Sequence, residues 1–373
     1  MRIGIEAQRI FRKNKHGMDY VVLEEIKQLQ KLDRKDDFFI FVRPGEDRCL
    51  EDTRNIHIIE ISTPSYPLWE QWALPRAARY MNVDILHCTS NTAPIFCGIP
   101  LILTLHDIIF LEPRDKDNKS LYQNLGWYYR KFVVPKVLKK CKRIITVSNF
   151  EYDNIQKKLN LGDRLRMIYN GYNEWFRPIE EENGVYKNYI SERGYFLFLG
   201  NTDPKKNTAR TIVAYAKYFK ASSVKRKLLM ADLDKEYLDN ILQENDIEYI
   251  REYIVTPGYI ANKDLPYLYN DAFAFLYTSL RESFGIPLLE AMACGTPVIT
   301  SNTSSMPEIA GNNGILINPE SVDEITLAML KLEEDPMLYQ NQKSYGIQRA
   351  SMFSWRKTAE ELLQVYEECY KTR

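Results

Sequence analysis

Residues 195–207 read Tyr-Phe-Leu-Phe-Leu-Gly-Asn-Thr-Asp-Pro-Lys-Lys-Asn. The apolar run Tyr195–Leu199 ends in a glycine turn, and a helical pattern begins near Thr208. A strand that is apolar throughout is typical of a parallel sheet whose two faces are covered by helices. Because the same order of strand, turn and helix occurs on both sides of this stretch, the sequence predicts an α/β protein.

Short β-branched or aromatic runs alternate with helical patterns along the chain. Before the linker, the predicted strands are Ile3–Glu6, Phe38–Val42, Ile56–Ile59, Asp84–His87, Leu101–Leu105, Arg143–Val147 and Arg166–Tyr169. After it, they are Tyr195–Leu199, Lys227–Ala231, Arg251–Val255, Ala272–Thr278, Pro297–Thr300 and Gly314–Ile317. The polar, irregular segment from 170 to 194 predicts a linker between two α/β domains. We place the domains at 1–175 and 190–355, followed by a final helix over 356–373.

The chain has 373 residues, and its 50 Lys and Arg balance its 50 Asp and Glu, which argues against a general nucleic-acid binder. Six scattered cysteines without a C-x-x-C pair predict neither a zinc site nor a disulfide framework. No P-loop or dinucleotide-binding glycine motif is present, which weakens ATPase and dehydrogenase interpretations. The most apolar stretch, Ile99–Leu111, is short and contains His106 and Asp107. We therefore expect a cytoplasmic protein, at most peripheral at the inner face of the membrane.

Two carboxylates lie eight positions apart in the segment 277–297, after a predicted strand. Glu282 falls in the loop, and Glu290 falls in the first turn of a helix that Pro287 suits as its first residue. Backbone amides around 284–288 would bind a phosphate, whereas the carboxylates would accept hydrogen bonds from hydroxyls. The alternative is that Glu290 complements the helix dipole and Glu282 is a solvated loop residue.

Lys205 and Lys206 come after the glycine turn at Gly200, directly before Asn207 and the next helix. Two cations at a helix N-terminus would suit a diphosphate, because they offset the charge that grows on a leaving group. The alternative is a surface turn with two solvated lysines.

Two candidate residues in the first domain lie near the carboxyl ends of strands. His106 stands at the end of an apolar strand, where ligands bind in doubly wound sheets. The alternative is a hydrogen-bonded histidine at a capped strand end. Gly17, in Lys15-His16-Gly17-Met18, lies between the first strand and the first helix. It would let the backbone approach a ligand closely, or it is an ordinary turn glycine.

Taken together, these motifs resemble the family-4 (group 1) retaining glycosyltransferases of the GT-B fold, in particular their mannosyltransferase-like branch. Glu282-Ser-Phe-Gly-Ile-Pro-Leu-Leu-Glu290 is similar to the E-x7-E signature of that family, and 291–298 is similar to the stretch after it. The resemblance covers essentially the whole chain. It implies two Rossmann-like domains that face each other across a cleft, with the C-terminal helix crossing back to the first domain.

The resemblance also implies roles for individual residues. Glu282 would hold hydroxyls of the donor sugar, and Glu290 would hold the ribose of the nucleotide. His106 would lie next to the donor sugar near the reacting carbon, and Lys205 and Lys206 would lie beside the diphosphate. The family usually has Arg at position 205, and lysine keeps the charge but loses the bidentate fork.

The predicted catalytic residues are therefore Glu282, His106, Lys206 and Lys205. The predicted donor-binding residues are Glu290, Gly200, Asn207, Gly258, Tyr259, Ile260, Ser283, Phe284, Gly285 and Ile286. Gly258, Tyr259 and Ile260 resemble a turn whose backbone meets the nucleobase. Ser283 replaces a usual glycine, so its hydroxymethyl group could alter the sugar pocket. Gly17 represents the acceptor-side loop of the family.

The activity implied by the resemblance is transfer of a hexosyl group, with retention, to a growing surface or lipid-linked glycan. Mannose from GDP-mannose fits this branch best. No metal ion or organic cofactor is expected, because lysines and a helix N-terminus supply the positive charge. Two alternatives stay open: an enzyme of the same fold that uses a UDP-hexose or epimerises it, and a non-catalytic protein that binds sugar nucleotides or glycans.

From Asn118 to Phe150 the sequence contains no acidic residue, and seven cations fall within 17 positions, 127–143. The buried stripe of the same helix would consist of Val133, Val134, Val137 and Leu138. The stretch is either a solvated helix face or a surface attracted to anionic lipid headgroups. The second interpretation would suit an acceptor that is anchored in a membrane.

Overall fold

The computed structural model describes residues 1–15, 17–32, 35–112, 121–181 and 184–372, without the side chains of 121–124. The chain divides into two compact units, Met1–Asn170 with Trp355–Arg373 and Gly171–Ser354. The sequence pattern predicts a linker over 170–194 and a first domain that ends at 175, whereas the first unit ends at Asn170 and Gly171 begins the second unit. His16 and Asn118, two positions named in the sequence motifs, lie outside the described residues.

Parallel strands form the centre of each unit. In chain order they are β1 Arg2–Glu6, β2 Asp37–Val42, β3 Ile56–Glu60, β4 Ile85–Cys88, β5 Leu101–Thr104, β6 Arg143–Thr146, β7 Leu165–Met167, β8 Phe196–Leu199, β9 Leu228–Ala231, β10 Ile254–Gly258, β11 Ala274–Tyr277, β12 Val298–Ser301 and β13 Ile315–Ile317. Each strand predicted from the sequence overlaps one of these.

The α-helices alternate with the strands. They are α1 Gly17–Lys31, α2 Tyr66–Leu68, α3 Leu74–Tyr80, α4 Leu121–Leu138, α5 Asn149–Leu159, α6 Thr208–Ala221, α7 Lys235–Glu244, α8 Leu265–Asp271, α9 Ile286–Ala293, α10 Met306–Ala310, α11 Val322–Glu334, α12 Pro336–Ala350 and α13 Trp355–Lys371. A π-helical turn, Trp69–Ala73, joins α2 to α3.

The first unit is a parallel sheet in the order β3-β2-β1-β4-β5-β6-β7. Strand order reverses between β1 and β4, where Glu6 lies opposite Cys88. Residues directly after these two strands therefore meet at one edge of the sheet, which is the ligand-binding edge of doubly wound folds. Helix α13 packs against α1, and its Tyr366 is fully buried in the core of this unit. The C-terminal helix thus returns to the first unit, as predicted.

The second unit is a parallel sheet in the order β10-β9-β8-β11-β12-β13. The reversal here lies between β8 and β11, with Phe198 opposite Leu276. Both orders are Rossmann-like, so the predicted α/β class with two such domains is confirmed.

One predicted strand begins three residues too early. Its predicted start is Arg251, but residues Glu248–Tyr253 form a 3-10 helix, and β10 begins at Ile254. The helical turn buries Ile250 completely in the core of the second unit. Propensity alone cannot distinguish this apolar turn from the strand after it.

Candidate active site

The first segment at the reversal of the second sheet is the turn after β8. A Cβ atom on Gly200 would lie 2.0 Å from Cε1 of Phe198, whose ring is buried. Any other residue would force this ring out of its place, so the chain turns here only with glycine. The turn leads through a 3-10 helix, Pro204–Lys206, into α6.

The second segment is the loop from β11 to α9, and it meets the first through an ion pair. Nζ of Lys206 lies 2.8 Å from Oε1 of Glu282, and both side chains are largely buried. The backbone of the loop is held by two serines: Oγ of Ser304 accepts from the amide of Glu282, and the hydroxyl of Ser305 donates to its carbonyl. The structure therefore brings together the predicted phosphate-binding lysine and the predicted sugar-binding carboxylate.

Lys205 has a different environment from Lys206. Its side chain is 46% exposed and lies 3.7 Å from Asp203. Its carbonyl oxygen accepts a hydrogen bond from the amide of Leu280, which ties the two loops together. The adjacent lysines are therefore not equivalent, since Lys206 forms a close, largely buried pair with Glu282, whereas Lys205 forms a longer, exposed pair with Asp203.

The side chain of Asn207 is occupied by the protein itself. Its buried amide group donates to the carbonyl oxygens of Thr278, at 3.0 Å, and Pro319, at 2.6 Å, while its oxygen accepts from Arg210. The backbone of Asn207 is left-handed, with φ at 61°. The sequence motif assigns this residue to donor binding, but its contacts make it a structural tie between three loops.

Helix α9 begins one residue earlier than predicted. Ile286 is its first residue and Pro287 its second, after Gly285 with a φ of 105°. The amide of Leu288 donates to the carbonyl of Gly285, and Pro287 has no amide hydrogen, so the predicted anion-binding amides narrow to those of residues 284–286. Glu290 consequently lies in the second turn, not in the first.

The carboxyl group of Glu290 lies where burial disfavours its charged form. Burial raises its pKa to about 8, although the nearby hydroxyl of Tyr269 acts in the opposite direction. The side chain is therefore mostly protonated at neutral pH.

Tyr277 is a site residue that the sequence motifs do not reveal. This last residue of β11 is buried, and the pKa of its hydroxyl is raised by burial and by the nearby carboxylate of Glu282. Nζ of Lys206 lies 5.6 Å from the centroid of its ring. The signal available in the sequence was its position, directly before the loop that carries Glu282.

The remaining predicted donor-binding residues differ in exposure. Gly258 ends β10 with a φ of 83°, a conformation that favours glycine. Tyr259 is 68% exposed, whereas Ile260 and Phe284 are buried. Ser283 and Ile286 are half-buried.

In the first unit, His106 is fixed by the backbone around it. Its amide donates to Oδ1 of Asn91 at 2.6 Å, and its Nε2 lies 3.0 Å from the carbonyl oxygen of Thr89. A carbonyl only accepts, so Nε2 carries a proton. Burial lowers the pKa of His106, which keeps the ring neutral and leaves Nδ1 as an acceptor.

Gly17, the predicted acceptor-side residue, is the first residue of α1. Among the described residues, no atom would lie within 4 Å of a Cβ atom placed there. Two residues later, the buried Asp19 forms ion pairs with Arg9, at 3.0 Å, and with Arg12.

Helix α4 shows the amphipathic division that the sequence predicts. Val133, Val134 and Val137 are buried, whereas the lysines of this helix are exposed. The exposed face also carries large rings: Phe132 is 62% exposed, and the neighbouring Phe96 is 82% exposed beneath Nζ of Lys140. Arg143 does not belong to this face.

Arg143 lies in β6, where it pairs with Glu368 of α13 at 3.2 Å. Within the described residues, no helix is long and apolar enough to span a bilayer. Within the same residues, no cluster of three or more His, Cys, Asp or Glu has the arrangement of a metal site.

Comparison with known proteins gives two family matches. Residues 183–349 match the model of the glycosyl transferases group 1, and residues 16–175 match that of glycosyltransferase family 4. The chain is 30% identical to O-antigen chain mannosyltransferase B of Escherichia coli over 71% of this chain and 70% of that protein. It is 26% identical to MMP alpha-(1->4)-mannosyltransferase of Mycolicibacterium hassiacum, over 90% and 83% of the two chains.

Among solved structures, sucrose-phosphate synthase from Thermosynechococcus elongatus is similar in fold. The two structures superpose with a TM-score of 0.77 over 100% of both chains, at 17% sequence identity.

Proposed function

Because the chain belongs to the group 1, family 4 glycosyltransferases, we propose that it transfers mannose from GDP-mannose to a growing glycan with retention at the anomeric carbon. The observation that carries this proposal is the meeting of Lys206 and Glu282 at the reversal of the second sheet. A cation for a diphosphate and a carboxylate for sugar hydroxyls are the two groups that a nucleotide sugar needs at adjacent positions. Mannose is supported by the names of the two relatives, both mannosyltransferases.

In the proposed reaction, the bond between the anomeric carbon and the diphosphate oxygen breaks, and an acceptor hydroxyl oxygen forms the new bond to that carbon while its proton passes to the departing diphosphate. Negative charge grows on the departing GDP. Lys206 and the amides of residues 284–286 would stabilise this charge, and their contribution is larger in the transition state than in the ground state. The proposal includes no metal ion or organic cofactor.

The sugar would be held by groups that suit neutral hydroxyls. Glu282 would accept hydrogen bonds from the mannosyl hydroxyls, and Glu290 from the ribose. For the first unit, we assign a sugar-contacting role to His106, because its neutral ring offers Nδ1 as an acceptor. A neutral histidine with a lowered pKa fits this role better than that of a cationic partner to phosphate.

The test combines binding and transfer. GDP-mannose, GDP, UDP-glucose and UDP are first compared by thermal shift, since a ligand that binds the folded state raises its stability. The expected result is stabilisation by the two guanosine nucleotides and mannosyl transfer to a mannose-containing acceptor. Stabilisation and turnover with UDP-glucose alone would refute the GDP-mannose donor. A product epimerised at the sugar would indicate the epimerase alternative, and binding without any turnover would indicate the binding protein.

Glu282→Ala tests the assignment inside the site. We expect it to abolish most turnover while leaving the affinity for GDP within a few-fold of wild type, because GDP lacks the sugar that Glu282 would hold. Glu334→Ala, at an exposed position of the same unit, is the matched control and should change neither quantity. Equal loss of GDP affinity and turnover would mean that Glu282 is structural.

We also propose that the exposed face of α4 docks on anionic membrane. Two cations of this region lie over rings: Lys131 of α4 lies 4.5 Å from the ring of the half-buried Trp127, and Lys140, just after the end of α4, lies 4.8 Å from the ring of the exposed Phe96. Basic residues near an anionic surface contribute about 1 kcal/mol each, and aromatic rings are favoured at the interface. Such a surface would place the enzyme beside a lipid-linked acceptor.

Vesicles with and without anionic lipid test this second proposal. We expect retention on anionic vesicles at low salt, release at high salt, and loss of retention when Lys136, Lys139 and Lys140 are changed to Glu. The control variant reverses three exposed lysines of the second unit, namely Lys187, Lys220 and Lys235. A protein that ignores anionic vesicles at low salt would end the proposal.

A further inference from the structure

A buried carboxylate that the proposed reaction does not use lies near His106. Glu6 is the last residue of β1 and is only 2% exposed. Its described contacts include two backbone donors: Oε1 accepts from the amide of Gln8 at 3.0 Å, and Oε2 accepts from the amide of Thr89 at 3.2 Å, with the Thr89 hydroxyl at the same distance. A charged group is costly to bury, so these contacts call for an explanation.

Thr89 connects this carboxylate to the histidine. Its carbonyl oxygen lies 3.0 Å from Nε2 of His106, and its hydroxyl also donates to the backbone carbonyl of Glu6 at 2.7 Å. The amide of Thr89 therefore faces Glu6 while its carbonyl faces His106. Glu6 therefore fixes the position of Thr89, and Thr89 in turn fixes the orientation of the His106 imidazole.

The other end of His106 is held just as firmly. Asn91, which accepts from the amide of His106, has a left-handed backbone with φ at 65°, and its own amide donates to the carbonyl of Thr104. The backbone of the histidine is thus fixed by Asn91, and only the ring depends on Thr89.

We propose that Glu6 is a positioning residue for His106, because its carboxylate fixes the Thr89 carbonyl that keeps the imidazole proton on Nε2. The bond made by one ring nitrogen determines the state of the other, so Nδ1 is left as the acceptor. This inference rests on the proposed function in one respect, namely that Nδ1 accepts a hydrogen bond from the donor sugar.

The two oxygens of Glu6 explain why a carboxylate stands here. Each oxygen faces a donor, and Glu6→Gln must turn its NH2 group toward either Gln8 or Thr89. A donor then faces a donor, and the Thr89 peptide has to move. In Glu6→Gln, therefore, only one end of the side chain can accept hydrogen bonds, while the size of the side chain is kept.

Nitrogen-15 NMR of the histidine side chains tests the inference without any assay of activity. His106→Ala identifies the signals of this residue by their absence. In wild type we expect the pattern of a neutral ring protonated on Nε2, and in Glu6→Gln a mixture that includes the Nδ1-protonated form. An unchanged pattern in folded Glu6→Gln would overturn the proposal. The result stands even if the protein transfers a different sugar.

Two further variants keep the test decisive. Thr89→Val removes the hydroxyl that bonds Glu6, so it should shift the same signals by a smaller amount even if Glu6→Gln fails to fold. Glu333→Gln changes a carboxylate in the second unit whose side chain is also only 6% exposed and bonds Tyr218 and Ser222. It should leave the His106 signals unchanged. No shift with Thr89→Val would overturn the proposal.

Kinetics then separate positioning from a loss of stability. Glu6→Gln should lower kcat roughly tenfold with little change in the donor KM. In a His106→Ala background the same change should have no further effect, because the residue through which Glu6 acts is gone. An equal loss in both backgrounds would show that Glu6 is merely structural. Absence of transfer in wild type would refute the proposed function and leave the NMR result intact.

Discussion

Binding of the nucleotide is expected to release a proton from Glu290. Burial raises the pKa of this carboxyl to about 8, so about 90% of it is protonated at pH 7. Ribose hydroxyls that donate to a carboxylate stabilise its charged form and lower its pKa on binding. We therefore expect about 0.9 proton released per GDP bound at pH 7 and about 0.1 at pH 9. Affinity should rise about tenfold from pH 6 to pH 7 and level off above pH 8.

Isothermal titration calorimetry in buffers with different ionisation enthalpies measures this proton release directly. The matched control is Glu290→Gln, which has no proton to lose. It corrects for the terminal phosphate of GDP, which itself titrates near pH 6. Equal proton release from wild type and Glu290→Gln would refute the role of Glu290 at the ribose.

The same pKa shift determines the sign of a stability effect. Below about pH 4.5 both the folded and the unfolded chain hold this proton. Between about 4.5 and 8 only the folded chain keeps it, so the free energy of unfolding falls as pH rises, by up to about 1.4 kcal/mol per pH unit. The Tm of Glu290→Gln minus the Tm of wild type should therefore increase from pH 5 to pH 8. A constant difference would contradict the raised pKa.

The geometry of the loops supports two other predictions. Gly200→Ala should lower the free energy of unfolding by roughly 1–3 kcal/mol in a denaturant titration, because its Cβ would lie 2.0 Å from the buried ring of Phe198; an unchanged midpoint would contradict this. Lys206→Ala should reduce kcat much more than Lys205→Ala does, since only Lys206 is fixed beside Glu282. Equal losses of kcat would show that the position of Lys206 beside Glu282 gives it no special role, and a rise in KM alone would show that the lysines contribute only uniform binding.

The strands could be predicted because their apolar runs are short, regular and bounded by turns. The error at Arg251 arose where an apolar 3-10 turn, Glu248–Tyr253, runs directly into β10. The boundary between the units was misplaced for a related reason. A polar and irregular segment is typical of a linker, but only tertiary contacts reveal that the chain from Gly171 onward belongs to the second unit.

The candidate site was predictable to a different extent. Motifs indicated Lys206 and Glu282, and the parallel topology explains why residues 76 positions apart meet. The sequence could not show that the side-chain amide of Asn207 donates to two backbone carbonyls, because these carbonyls belong to residues 71 and 112 positions away. It also could not single out Tyr277, since a tyrosine at a strand end looks like any other core residue.

The ion pair between Lys206 and Glu282 has a consequence for the end of the catalytic cycle. When a nucleotide sugar binds as proposed, the diphosphate replaces Glu282 at Lys206, and sugar hydroxyls replace Lys206 at Glu282. Both partners of the broken pair are then compensated. After transfer, the sugar is gone while GDP still occupies Lys206, which leaves a largely buried carboxylate without its partner.

Reformation of the pair therefore competes with the spent nucleotide. The intact donor compensates both charges and GDP compensates only one, so the empty site discriminates against its own product. If transfer proceeds as proposed, we therefore expect weak product inhibition by GDP, because the ion pair between Lys206 and Glu282 re-forms as GDP leaves.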